Sequence, residues 1–304
     1  MKSLLQSKYW ANFKKKYGWK IHKVDKVRVF EKKLPFGKSF FYIPEVSSAQ
    51  HSMFGIKELL KKIKPLAKKR KAVFLRIEPL EEDKRVKNIF KRSGLRRAFE
   101  EIQPRFRQWI HLDKPEDKIL KEMKSKGRYN IRLAARKGVK IIKSDSPKDI
   151  EIFYRLYQET AMREGFPPRP KKYFINLFHE LFAKRNGMFF IAMYQGKPIS
   201  ALFVTFYGKI ASYLYGGSSA RDRNVMAPYL AHWEAIKEAK NRGMKVYDML
   251  AIAPREDQKH KHYGLRRFKK QFGGRQVNLV GGWDKIYSRF WYFWFKIAEK
   301  IRRK

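Results

Sequence analysis

The sequence predicts a mixed α/β chain of two domains. Its 304 residues are about twice the size of an ordinary single domain. Helical and strand periods alternate along it, and the second half runs a three-strand meander, a helix and a strand in that order. Hydrophobic residues make up 43% of the chain and aromatics 15%, spread through both halves, so a packed core is within reach of each.

The elements read as follows. A short amphipathic helix over residues 7–17 precedes strand patterns at 20–24, 27–30 and 40–43. Ile56, Leu59, Leu60, Ile63 and Leu66 recur at helical spacing within 55–69. AVFLRI, 72–77, reads as a buried strand, a helix over 85–92 stops before Gly94, and strands follow at 99–102 and 107–112. Residues 115–137 form a strongly basic helical stretch that ends at Gly138, a natural C-cap. Ser146, Pro147, Lys148 and Asp149 make a capping-box-like start with Pro at the first helical position. The helix they open runs to about 163, and the second domain is expected to begin there. Strands at 188–194, 199–207 and 210–215 are joined by short Gly-containing turns into an antiparallel meander. A helix over 227–242 stops at Gly243 and hands over to a strand at 246–252, which is the element order of the GNAT acyltransferase core. A final helix, 287–303, has an aromatic face and a basic end, and no repeat is evident in the letters.

Charge points to the partner. Lys and Arg number 72 against 28 Asp and Glu, a net +44, and a polyanion would relieve that self-repulsion. Nucleic acid, an anionic membrane surface and a phosphorylated substrate all qualify, and so does a plain lysine-rich surface. The absence of Cys excludes thiol nucleophiles, disulfides and Cys-ligated zinc. The first twenty residues carry no apolar signal core, and FWYFWF, 290–295, is far short of the roughly 20 residues that span a bilayer. A cytoplasmic protein is expected, with peripheral contact at the inner membrane face as an accompanying expectation.

Common catalytic signatures are missing. Neither GxxxxGK[ST] nor GxGxxG occurs, which argues against nucleotide-hydrolysing and dinucleotide enzymes. His260 and His262 alternate without neighbouring carboxylates, a poor metal site. Ser218 and Ser219 lack the elbow context of a triad nucleophile. A GNAT enzyme using acetyl-CoA needs a glycine-rich turn whose backbone N–H groups cradle the pyrophosphate. Here the junction reads ARDRNVMA, 220–227, without glycine, so an acyl-CoA N-acyltransferase is the alternative reading and not the leading one.

Seven segments carry a resemblance. They are LLQSKYWANFKKKYGW at the start, IQPR at 102–105, KSKGRYNIRLAARKGV at 124–139 and GFPPRPKKYF at 165–174. YLYGGSS at 213–219, KVYDMLAI at 245–252 and GLRRFKKQFGG at 264–274 complete the set. In this order and spacing the chain resembles, over nearly its whole length, the Fem family (FemABX) of peptidyltransferases, which build the interpeptide bridge of peptidoglycan.

The resemblance implies two tandem GNAT-like domains with mixed, mostly antiparallel sheets and a C-terminal helix returning to the first domain. The spans expected are 1–144 with 279–304, and 145–278. It implies an aminoacyltransferase: a stem-peptide amine of a peptidoglycan precursor, UDP-MurNAc-pentapeptide or lipid II, attacks the ester carbonyl of an aminoacyl-tRNA. Both partners are polyanions, and no metal or nucleotide cofactor is required.

Carried over residue by residue, Arg169 and Tyr173 fall on the RPxxY positions that hold the acceptor's phosphates, where an Arg fork suits the geometry. A helix-start Arg in a solvated loop is the other reading. Lys14 is the expected second phosphate contact. Tyr213 and Tyr215, two apart in one strand, are expected on one face along the acceptor cleft, or else in the core. Phe268 and Lys269 match the pair near the tRNA acceptor end, where a fixed cation would stabilise the oxyanion or the leaving ribose oxygen. Asp248 either orients the attacking amine or makes a structural hydrogen bond. Arg266, Arg267 and Lys270 are expected tRNA contacts, and the general base is left unassigned. Some family members insert a long helical hairpin in the second domain, for which the chain between Phe174 and Met188 is too short. Two readings stand for the last helix: Trp291, Trp294 and Phe295 lie in an anionic leaflet, or they pack on the first domain.

Overall fold

The computed structural model describes residues 2–46, 53–255 and 263–302. In chain order the elements are α1 (Lys8–Lys15), β1 (Trp19–Val24), β2 (Val27–Lys33), β3 (Ser39–Pro44), α2 (Met53–Lys69), β4 (Ala72–Glu78), α3 (Arg85–Arg92) and β5 (Arg96–Arg97). Then follow β6 (Phe106–His111), α4 (Glu116–Glu122), α5 (Ser125–Arg136), β7 (Lys140–Ser144), α6 (Asp149–Glu164), α7 (Lys171–Leu181), β8 (Gly187–Tyr194), β9 (Lys197–Tyr207) and β10 (Ile210–Ser218). The chain ends with α8 (Ala227–Asn241), β11 (Val246–Ala251), α9 (Tyr263–Lys269), β12 (Arg275–Asn278), β13 (Trp283–Ile286) and α10 (Arg289–Arg302).

Two compact units result, Met1–Arg105 with Asn278–Lys304, and Phe106–Val277. The division falls at 105 and not at the expected 144. The reason lies in strand pairing: β6 hydrogen-bonds to β11 and β7 to β8, so residues 106–144 belong to the second unit. Two local expectations also change. The strand at 99–102 is irregular chain, with β5 lying earlier, and the basic stretch 115–137 is two helices broken at Met123 and Lys124.

The first unit holds a sheet of order β1-β2-β3-β4-β13-β5, in which β3 and β4 are the parallel pair. Alternation along β3 and β4 builds both faces. Phe41, Ile43, Leu75 and Ile77 pack with Ile56, Leu60 and Ile63 of α2 and Phe90 of α3. Phe40 and Phe74 stack on the other face, ring centroids 5.2 Å apart, and there meet Phe295 of α10. The last helix therefore returns to the first unit. Arg76 follows the apolar run Ala72–Leu75 in β4 and is fully buried. Its Nε and Nη2 donate to the two carboxylate oxygens of Asp284 in β13, each at 2.8 Å, and Tyr292 of α10 donates to Asp284 Oδ2 at 2.7 Å. A charge buried without such a partner would cost several kcal/mol, so the fork fixes β13 and α10 to β4.

The second unit holds a sheet of order β12-β6-β11-β10-β9-β8-β7, in which β10 and β11 are parallel. One face carries an apolar core shared with α5 and α8, including Ile131, Ala134, Leu202, Val204, Ala235 and Ile236. The other is aromatic, with Phe153 and Tyr157 of α6 and Phe174 of α7 against Phe189 and Phe203. Gly217 lets α6 lie on β10: a Cβ there would stand 2.3 Å from the Leu156 carbonyl carbon.

Each unit thus runs an antiparallel three-strand meander, a helix and a strand parallel to the meander's last one. The segments are β1 to β4 around α2 and β8 to β11 around α8. The repeat that the letters conceal is plain in the strand order.

Candidate active site

The site starts where β10 and β11 part. Their parallel pairing runs from Ile210 with Val246 to Ser212 with Asp248 and stops, although β10 continues to Ser218 and β11 to Ala251. Each strand is irregular just beyond that level. In β10 the register against β9 shifts between Tyr213 and Tyr215, and in β11 the register against β6 shifts between Asp248 and Ala251. Leu250 there has φ 56°, a left-handed conformation costly for a non-glycine residue. An extra residue in one strand bends it and re-aims its side chains.

Lys269, from the end of α9, reaches into this opening and is buried. Its Nζ donates to the Met249 carbonyl and, at 2.9 Å, to the Ala251 carbonyl, and it stands 5.5 Å from the centroid of the Tyr213 ring. One amine therefore spans from the β11 carbonyls to a β10 aromatic. Burial pushes Lys269 down to about 7, against the upward pull of Asp248. The carbonyls and the ring face favour the ammonium. The arrangement is that of a fixed donor at a gap in a sheet, able to stabilise negative charge developing on a reacting carbonyl.

Phe268, the preceding residue, points elsewhere. It packs against Tyr229, His232 and Phe272, with ring centroids 5.0, 5.5 and 5.3 Å away. His232, which the sequence reading passed over, is buried behind the opening. Its Nδ1 lies 2.9 Å from Tyr247 Oη and its ring 4.6 Å from that of Tyr213. Burial, aided by the Lys269 charge, lowers it to about 3, so it stays neutral. A lone His in an Ala-rich helix gives no signal of this in the sequence.

The two tyrosines do not share a face. The register shift leaves Leu214 without a β9 partner, so Tyr213 turns to the α8 side and Tyr215 to the α6 and α7 side. Burial pushes Tyr213 up to about 12, which keeps its phenol protonated. On the opposite face Tyr215 joins a second group. Its hydroxyl lies 2.9 Å from that of Tyr173, and the Arg169 guanidinium sits 4.8 Å over the Tyr173 ring. The RPxxY residues Arg169 and Tyr173 thus stand together, joined by Tyr215, with Arg169 exposed ahead of α7 and its fork steadied by an aromatic face.

The remaining expected residues are placed as follows. Asp248 is buried and accepts from Arg107 Nη1 at 3.0 Å and from the Leu250 N–H at 2.7 Å, a structural ion pair that shapes the irregular turn of β11. Arg266, expected at tRNA, is buried too. Its Nη1 donates to the Ala253 carbonyl and to Gln276 Oε1, both at 2.7 Å. Arg267 is exposed and Lys270 half-buried. Lys14, in the first unit, lies 4.6 Å over the Trp19 ring. His260 and His262 fall outside the described residues, and among those described no group of His, Asp and Glu could hold a metal. At the CoA-type junction, Asp222 and Met226 adopt left-handed φ, and Pro228 stands in the first turn of α8, where it removes a backbone N–H from any phosphate cradle.

Two meander–helix–strand units define a tandem GNAT-like acyltransferase fold. Solved structures agree: one described as FemX superposes with a TM-score of 0.87 at 22% identity, covering 95% of this chain and 94% of that one. A tandem GNAT protein from the clavulanic acid pathway superposes at 0.51, with 11% identity over 86% of this chain and 78% of that one. The sequence profile of the FemAB family matches residues 86–197 and again 189–300, and the chain belongs to that family. Among curated relatives, the lipid II:glycine glycyltransferases of Staphylococcus epidermidis and Staphylococcus aureus are each 24% identical. The first alignment covers 98% of this chain and 91% of the relative, the second 99% and 95%. These alignments extend over 383 and 404 positions, more than this chain's length, so the relatives carry inserted residues that it lacks.

Proposed function

We propose that this chain is an aminoacyltransferase that moves an amino acid from aminoacyl-tRNA onto the stem-peptide amine of a peptidoglycan precursor. Membership of the FemAB family and full-length similarity to lipid II:glycine glycyltransferases support the acceptor class. The observation that carries the chemistry is Lys269, a buried amine held by two backbone carbonyls at the parting of β10 and β11. In this reading the attacking amine adds to the ester carbonyl, the oxyanion forms beside Lys269, and the ribose hydroxyl leaves. Preorganised donors of this kind contribute roughly 3 to 4 kcal/mol each. Arg169, with Tyr173 and Tyr215, binds the acceptor's phosphates, and Arg267 and Lys270 meet the tRNA.

The net charge of +44 supports two polyanionic partners. With no inserted hairpin, tRNA binding falls to the basic surface of the body, which includes Lys124, Lys126, Arg128, Arg132 and Arg136 on and beside α5. Such binding weakens with salt with a slope of about 0.7 to 0.9 per phosphate neutralised. A donor swap tests the reading: purified protein is given the acceptor with labelled aminoacyl-tRNA or with acyl-CoA. Transfer from the tRNA donor that vanishes on RNase treatment supports it. Transfer from acyl-CoA alone overturns it in favour of the small-molecule reading.

A further inference from the structure

The last helix carries two apolar stripes. Tyr292 and Phe295 face inward, against Phe40, Phe74 and Phe99 of the first unit. With about 100° of turn per residue, Phe290, Trp294 and Ile301 fall on the opposite side, with Phe293 beside them. These four are between 50% and 69% exposed, and Phe36, in the turn between β2 and β3, is 80% exposed. The Phe36 ring lies 5.3 Å from that of Trp291, and Lys38 Nζ lies 5.1 Å from the same indole, so turn and helix form one patch.

Its charges have one sign. Arg289, Lys296 and Lys300 follow one flank of the outward stripe and Arg302 the other, while Glu299 is turned inward and paired with Arg302. At 14 residues the helix is about 21 Å long, too short to cross a bilayer. An apolar stripe bounded by cations on a helix of this length suits the plane of a membrane interface. A second copy of the chain is a poor occupant, because it would bring one +44 molecule and its matching cations against another.

We propose that this face docks on an anionic lipid surface, with α10 lying among the headgroups and Phe290, Trp294, Ile301 and Phe36 entering the apolar boundary. The inference concerns the first unit alone and goes beyond the transfer reading, so either can fail without the other. The two sequence-level readings of the helix combine: Phe295 packs inward, Trp291 is shared with the turn, and Trp294 faces out.

Flotation of the full-length protein with vesicles of phosphatidylcholine, alone or mixed with phosphatidylglycerol, tests it. The wild type is expected to float with the mixed vesicles, less so at high salt. The F290S/W294S double variant is expected to lose at least about tenfold in partitioning while keeping its melting temperature, because those side chains cover no core. A K296E/K300E variant, which keeps the apolar side chains, is expected to lose the preference for phosphatidylglycerol. Failure of the folded wild type to float, or equal flotation of the double variant, overturns the proposal. So does a dimer that the double variant abolishes without any vesicle binding.

Discussion

Tyr213 and Tyr215, two residues apart in β10, stand on opposite faces of the second sheet because the register against β9 slips between them. One ring meets His232 and the Lys269 amine, the other meets Tyr173 and Phe174. A single strand thereby links the group assigned to the donor ester with the group assigned to the acceptor phosphates. That separation makes the roles separable by mutation.

Replacing Lys269 by Met is expected to lower kcat by about 10² to 10³ with little change in KM for either substrate. Steady-state kinetics with both substrates varied checks this. In the proposed mechanism the ammonium is the working form, and burial lowers the group to about 7, so kcat is expected to fall as pH rises through that value. The residual activity of the Met variant should lack that limb.

Arg169→Lys is expected to raise KM for the acceptor by about tenfold or more, since an ammonium cannot reproduce the guanidinium fork or its stacking on Tyr173. KM for the aminoacyl donor should be unchanged. Equal effects on both substrates would contradict the division between the two faces.

Asp248→Ala removes the partner of buried Arg107 and is expected to cost about 3 to 5 kcal/mol of stability, read by denaturant unfolding. A fully stable variant with lost activity would instead favour a direct role on the attacking amine.

His232 gives a pH signature in stability. Its folded pKa, about 3, lies below the ordinary value of 6.5, so between those values the unfolded chain binds more protons and stability falls as pH drops. From pH 7 to pH 5 the wild type is expected to lose about 2 kcal/mol more than His232→Gln, which removes the titration and keeps a partner for Tyr247.

Gly217→Ala is expected to destabilise by about 1 to 3 kcal/mol, because the new methyl meets the backbone of Leu156 and Tyr157, which cannot yield as a side-chain tip would. Thermal melting measures it.

Much of this was legible in the letters. The apolar periods of 72–77 and 199–207 fixed central strands, and the order of elements around residues 227–242 announced the second meander, helix and strand. RPxxY marked Arg169 and Tyr173, which meet Tyr215 on one face of β10, and the Phe268–Lys269 pair marked Lys269, whose amine meets Tyr213 on the other, while Phe268 packs against Tyr229 and Phe272. Tertiary pairing decided the rest. Residues 106–144 join the second unit through partners more than forty residues away, which no local pattern reveals. Period-two alternation put both tyrosines on one face, and a slip in register separated them. Arg266 looked like a solvated cation beside Arg267, yet helical geometry turns it inward to the Ala253 carbonyl. Asp248 showed a carboxylate without showing Arg107, its partner 141 positions earlier.

The most direct test follows label from aminoacyl-tRNA to lipid II and to UDP-MurNAc-pentapeptide in parallel, with the wild type and Lys269→Met. The account predicts RNase-sensitive transfer to at least one acceptor by the wild type and a loss of about two orders of magnitude in the variant. RNase-resistant transfer, or a Lys269→Met enzyme as fast as the wild type, would contradict it.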